Sequence, residues 1–132
     1  LEDFGDPDSL VNLEGNKLPQ SPEFTGNIGL GYSHQIDRGG ELSARLDYYY
    51  SAEKFFNEFN DNAVQDSYEL INARVSFESQ DGVWGVSLFG KNLTDELVFL
   101  FAGNTYFGGG ENGLLTQLAP PRTYGISVAY NF

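Results

Sequence analysis

The chain has 132 residues, about one domain, with 40% hydrophobic and 15% aromatic residues, 16 glycines and a formal net charge of −12. That charge argues against nucleic acid as a partner, which asks for a basic stripe. The absence of cysteine excludes a disulfide framework, a thiolate metal site and a cysteine nucleophile.

The first residues, LEDFGDPDSL, are acidic and polar and make no signal peptide. The expectation is either a cytoplasmic protein or a chain whose beginning is missing. Residues 1–23 carry Glu2, Asp3, Asp6, Asp8, Glu14 and Glu23 against Lys17, and residues 53–66 carry Glu53, Glu58, Asp61 and Asp66 against Lys54. Both stretches read as solvated acidic loops. DFGDPDS and NEFNDN are rich in oxygen ligands, as calcium loops are, yet neither has the EF-hand spacing, so no metal site is assigned.

From residue 22 onward the pattern alternates with period two, the mark of strands with two unlike faces. PEFTGNIGLGYSHQ puts Phe24, Ile28, Leu30 and Tyr32 on one face and Asn27, Gly29, Gly31 and Ser33 on the other. IDRGG predicts a tight turn built on Gly39 and Gly40. ELSARLDYYYS follows, with Leu42, Ala44, Leu46, Tyr48 and Tyr50 opposite Glu41, Ser43, Arg45, Asp47 and Tyr49. AEKFFNEFNDNAVQDS reads as a long polar loop. YELINARVSFES sets Ile71, Ala73, Val75 and Phe77 against Asn72, Arg74, Ser76 and Glu78. After the short turn QDG, VWGVSLFGKNLTDE sets Trp84, Val86 and Leu88 against Gly85, Ser87 and Lys91, with Phe89 an exception on the polar side. AGNTYFGGGENGLLTQLAPP reads as a glycine-rich loop. PRTYGISVAYNF closes the chain, with Tyr124, Ile126, Val128, Tyr130 and Phe132 on one parity.

These are about five long strands, each near the length that crosses a bilayer at a tilt. Short turns alternate with long loops, so a meander gathers all the turns at one end of the sheet and all the loops at the other. Five strands without a helix-period segment have nothing to cover one apolar face. The longest apolar run, Leu97 to Ala102, is too short for a membrane-spanning helix. A lipid-facing sheet is therefore expected, apolar outside and polar inside, and the aromatics fit girdles. Tyr48, Tyr50 and Tyr124 lie toward the long-loop end; Tyr32, Phe77, Trp84 and Tyr130 lie toward the short-turn end. A terminal aromatic, Phe132, after alternating apolar residues looks like the signal read by the barrel-assembly machinery.

Three stretches in order resemble the C-terminal part of a TonB-dependent outer-membrane receptor: GNKLPQSPEFTGNIGLGY, then SYELINARVSFES with VWGVSLFGKNLTDE, whose Asn92 to Asp95 match an N-L-[FT]-D signature, then PPRTYGISVAYNF. The resemblance implies an all-β fold, an antiparallel up-and-down meander forming the last five strands of a 22-stranded barrel in the bacterial outer membrane. Residues 1–21 would be an extracellular loop and residues 22–132 the strands, with the plug domain and earlier strands outside this chain. It also implies TonB-driven uptake of a scarce small-molecule ligand, such as a siderophore–iron complex, vitamin, haem or oligosaccharide. The partners it implies are the rest of the barrel, the plug, TonB, lipid and lipopolysaccharide, and the assembly machinery. No cofactor and no enzymatic activity are implied. The loop after NLTDE departs from the family by its length and glycine content, so family ligand contacts are not carried onto it.

On this reading Arg45, Asp47, Arg74, Glu78 and Lys91 face the lumen, where they pair with the plug or with one another along the wall. Loop aromatics Phe55, Phe56, Phe59, Tyr106 and Phe107 are candidates for ligand stacking, against the alternative that they pack loop on loop. His34, the single histidine, falls on the apolar parity near a turn and reads as an interfacial residue. No nucleophile, acid and base are placed together for catalysis, and GGGENG lacks the Lys-Ser/Thr of a phosphate loop. The competing readings are a secreted or surface carbohydrate-binding or adhesive β-sheet protein, and behind it an outer-membrane barrel enzyme of lipase or protease type.

Overall fold

The computed structural model describes residues 12–59, 63–105 and 113–132. Nine strands occur among them: β1 (Thr25–Ile36), β2 (Gly40–Ser51), β3 (Lys54–Phe55), β4 (Val64–Gln65), β5 (Tyr68–Ser79), β6 (Trp84–Lys91), β7 (Phe99–Thr105), β8 (Gly113–Leu118) and β9 (Thr123–Tyr130). The five long ones form one antiparallel sheet in the order β1-β2-β5-β6-β9. β3-β4 and β7-β8 are separate hairpins inserted into that meander.

The alternation is matched across every strand, so each face of the sheet is uniform. Leu30 lies opposite Leu46 and Leu46 opposite Ala73, while Ala44 meets Val75, Val75 meets Leu88, and Leu88 meets Ile126. A slip of one residue in any pair would turn a whole strand's apolar set to the other face.

At one end the connections are tight. In the β1–β2 turn the left-handed residues are Arg38 (φ 61°) and Gly40 (φ 122°), not Gly39. Gly40 is required there, since a Cβ would collide with the Glu78 carbonyl of β5. In the β5–β6 turn the Ser79 hydroxyl donates to the Asp81 carboxylate at 2.6 Å, which also accepts from the Val83 amide at 3.0 Å. These two bonds, the Ser79 one foremost, hold the Asp81 carboxyl below its ordinary pKa.

At the other end lie three long connections: residues 12–24, 52–67 and 92–122. Sequence reading ran the Trp84 strand on into NLTDE, whereas that strand ends at Lys91, and made residues 52–66 and roughly 99–120 loops. Each contains a hairpin, and together they hold the buried core: Phe56, Ala63, Val98 and Ala102, with Phe99 packed against it. The small hairpins escaped the period-two reading because β3 and β4 are two residues each and β7 carries a bulge between Phe99 and Phe101.

Candidate functional site

The candidate site has three parts: the apolar face of the sheet, its polar face, and the cap of loops. On the apolar face Ile28, Leu30, Leu88, Ile126 and Val128 remain 57–64% exposed. No second layer of the described chain covers them. So large an apolar surface marks contact with lipid or another protein. Aromatic pairs border it: Phe24 with Tyr50 at 6.1 Å toward the loops, and Trp84 with Tyr130 at 4.6 Å toward the turns. Phe132 follows, 6.3 Å from Tyr130. Tyr48 donates to Glu69 at 2.9 Å, so this ring keeps a polar tip toward the loop end. Tyr124 overhangs Gly90, and Phe77 lies opposite Leu42 and Val86. Tyr32 stacks on His34 at 6.5 Å, which puts the histidine against an aromatic on the apolar face.

The polar face is organised in levels. Nearest the turns, Gln35, Glu41, Glu78, Gly85 and Ala129 are successive cross-strand neighbours, and Gln35 donates to Glu41 at 2.6 Å. The next level is serine on every strand: Ser33, Ser43, Ser76, Ser87 and Ser127. Ser87 donates to Ser76 at 2.9 Å. Above it stand Gly31, Arg45, Arg74, Phe89 and Gly125, and beyond them Asp47, Asn72 and Lys91. Arg45 grips Asp47 with two bonds, 2.9 and 2.6 Å. Exposed as it is, such a pair contributes little to stability beyond fixing the two side chains in register.

The sequence exception Phe89 has a structural reason. Its ring lies over Gly125, where any side chain would collide with it, and it carries Arg74 at 5.6 Å and Lys91 at 5.9 Å from its centroid. Arg45, Asp47, Arg74, Glu78 and Lys91 thus share a face, as their parity requires. Tyr49, which the alternation already puts on this face, is joined near the loops by Tyr68, a residue the sequence reading did not place, with rings 6.0 Å apart.

The loop cap is one connected body. Gln65, 4% exposed, accepts from the Phe99 amide at 2.6 Å and donates toward the Leu97 carbonyl at 3.5 Å, joining β4 to the start of β7. Residues 12–24 dock on the same hairpin: the Gln20 amide bonds the Phe55 carbonyl at 2.6 Å and the Asn16 carboxamide bonds the Glu58 carbonyl at 2.8 Å. Lys17 reaches Glu53 (3.3 Å) and Glu23 (3.4 Å), which raise its pKa, Glu53 more than Glu23.

Of the loop aromatics, Phe56 is 8% exposed and packs with Ala63 and Ala102. Phe55 is half-buried beneath Lys17, and Phe59 is exposed. Tyr106 and Phe107 lie outside the described residues, as does most of the acidic DFGDPDS and NEFNDN sequence. No group of three or more acidic or histidine side chains is arranged for a metal among the described residues.

The NLTD segment is a folded knot. Asn92 (φ 50°) is buried; its side chain accepts from the Glu96 amide at 2.9 Å and donates to the Glu96 carbonyl at 2.8 Å, and its amide donates to Asn72 at 3.0 Å. Thr94 donates to the Glu69 carbonyl, and Asp95 pairs with Arg122 at 3.0 Å. The two short motifs that stand apart in sequence, NLTD and PPR, therefore meet.

The model of the family described as TonB dependent receptor-like, beta-barrel, matches residues 2–93. The chain belongs to this family. The TonB-dependent receptor barrel is a bacterial outer-membrane structure, and the five-stranded sheet is a section of its wall. Among solved structures it is similar to the ferric yersiniabactin uptake receptor FyuA from Yersinia pestis, with 20% identity and a TM-score of 0.73 over 91% of the chain. The chain spans 18% of that receptor's length.

Proposed function

We propose that this chain supplies the final five wall strands and two extracellular loops of a TonB-dependent transporter. The transporter imports a scarce ligand (a siderophore–iron complex, vitamin, haem or oligosaccharide) without making or breaking a bond in it. The apolar face meets acyl chains. The polar face lines a water-containing lumen occupied by the plug, whose movement, driven through TonB, opens the path. Residues 1–21 are an extracellular loop on this reading, and Phe55, Phe59, Tyr106 and Phe107, in the other long connections, are the candidates for ligand contact.

One observation carries the reading: a single-layer sheet whose unbroken apolar face stays exposed, bordered by aromatics at both ends, in a chain of this family. A secreted sugar-binding sheet would bury that face. Its length also suits a bilayer. From Glu69, the partner of Tyr50, to Ser79, beside the Trp84 turn, β5 advances ten residues. That is roughly 33 Å along the strand, or about 25 Å of height at a tilt near 40°, the thickness of an outer-membrane apolar band.

The test is uptake. Cells lacking the receptor should lose TonB-dependent accumulation of one ligand class, and the purified receptor should require detergent to stay monodisperse. Monodisperse behaviour without detergent would defeat the proposal.

A further inference from the structure

The polar face of the wall breaks its own rule in one place near the loops. Tyr49 lies directly opposite Leu70, and Tyr68 follows two residues nearer the loops, opposite Ser51. Leu70 has the parity of Asn72, Arg74, Ser76 and Glu78, so an aliphatic side chain stands where β5 otherwise presents polar groups. The two tyrosine rings are 6.0 Å apart and tilted by 47°. All three side chains are half-buried. They stand one row beyond Asp47 and Asn72, where β2 and β5 leave the wall for the β3–β4 hairpin. The other large ring on this face, Phe89, already carries two cations, whereas among the described residues no cation lies over Tyr49 or Tyr68.

We propose that Tyr49, Tyr68 and Leu70 form a shelf on which a flat aromatic group of the transported ligand stacks. The inference rests on the transporter reading above and names the ligand class that reading leaves open. The polar groups on and beside the shelf are already engaged. The Tyr68 hydroxyl is hydrogen-bonded to both Tyr49 and Ser51, and Ser51 is 1% exposed. Asp47 holds Arg45 with both its oxygens, and Asn72 accepts from the Asn92 amide. Ring and leucine surface is what the shelf still offers. A sugar laid on it would lose water from hydroxyls that find few new partners, which costs free energy. An aromatic plane gains face and edge contacts and gives up little polar hydration. Asn27, across from Tyr49 on β1, adds an amide at the rim, the kind of single polar group that orients a ligand on an apolar surface. The chain of hydroxyls from Tyr49 through Tyr68 to Ser51 sets the rings before the ligand arrives, so little side-chain freedom is lost on binding.

The experiment uses cells whose only TonB-dependent receptor is the full-length protein. Four probes are offered in turn: ferric tris-catecholate and haem, which present flat aromatic rings, and ferric tris-hydroxamate and maltohexaose, which do not. The receptor should accumulate an aromatic probe, and the first two arms tell which source supplies the ring. For that probe Tyr49→Leu/Tyr68→Leu should raise the half-saturation concentration about tenfold, the size expected from losing two ring contacts, with the maximal rate unchanged. Tyr49→Phe/Tyr68→Phe, which keeps both ring faces, should stay close to wild type. The amount of each variant in the outer membrane is measured alongside, and Tyr49→Leu alone, which keeps Tyr68 on Ser51, replaces the double variant if that one fails to assemble. Uptake of neither aromatic probe would overturn the proposal. So would an unchanged half-saturation in the leucine variant, or an equal loss in the phenylalanine one. Uptake that persists in cells without TonB would instead defeat the transporter reading.

Discussion

Val75 and Ser76 are neighbours on β5 that face opposite ways, and arginine at each should give very different results. Val75 sits mid-strand on the apolar face between Ala44 and Leu88 and is 45% exposed; Ser76 sits between Ser43 and Ser87. If acyl chains cover the first face, an arginine at Val75 is placed near the bilayer midplane, at a cost of about 2–4 kcal/mol. An arginine at Ser76 remains in a hydrated interior and loses chiefly the 2.9 Å bond from Ser87, about 1 kcal/mol. The same arginine at Tyr50, in the border at the loop end, should cost about 0–1 kcal/mol because it reaches the headgroups. The receptor carrying each change is unfolded with urea from lipid vesicles, and the midpoints give the differences. Equal penalties at Val75 and Ser76 would refute the assignment of faces, and equal penalties at Val75 and Tyr50 would refute the assignment of depth.

Gly40→Ala should destabilise by at least about 1 kcal/mol, as expected for a side chain forced into a left-handed conformation against backbone; Gly31→Ala, where a Cβ meets nothing, should be close to neutral in the same titration. Gln65→Leu leaves the half-buried Phe99 amide without its acceptor, at a cost of about 1 kcal/mol. Amide exchange should accelerate in β7 and the 52–67 hairpin while the sheet is unchanged; uniform acceleration would mean that Gln65 does not join two loops. For Asp81 the folded pKa is depressed, so its contribution is present above the unfolded carboxyl pKa and fades as pH falls through the folded one. Carboxyl NMR should show Asp81 titrating below an ordinary aspartate and returning toward it in Ser79→Ala.

Strand parity was legible because alternation with period two needs no tertiary knowledge. Leu42 through Tyr50 and Ile71 through Phe77 declare an apolar side wherever they fold, and the unequal connections sort turns from loops. The resemblance of the NLTD and PPR stretches to one family was legible too. Much of the cap was not. Phe55, Phe56 and Phe59 look alike in sequence, yet only Phe56 is buried, because the register of Phe55 with Val64 and the docking of Ala63 decide which ring turns inward. Gln65, Asn92 and Arg122 gain their partners from residues 34, 20 and 27 positions away, and no local pattern specifies such pairings.

The polar face divides the same way. Its composition was fixed by alternation, but the level at which each residue stands depends on inter-strand register. Register alone brings five serines into one row, sets Arg45 opposite Arg74, and lays Phe89 on Gly125. A strand's sequence determines which side chains share a face because the pleat has a period of two. Which strand lies beside it, and at what offset, is a contest among long-range hydrogen bonds and side-chain contacts that only the folded sheet resolves.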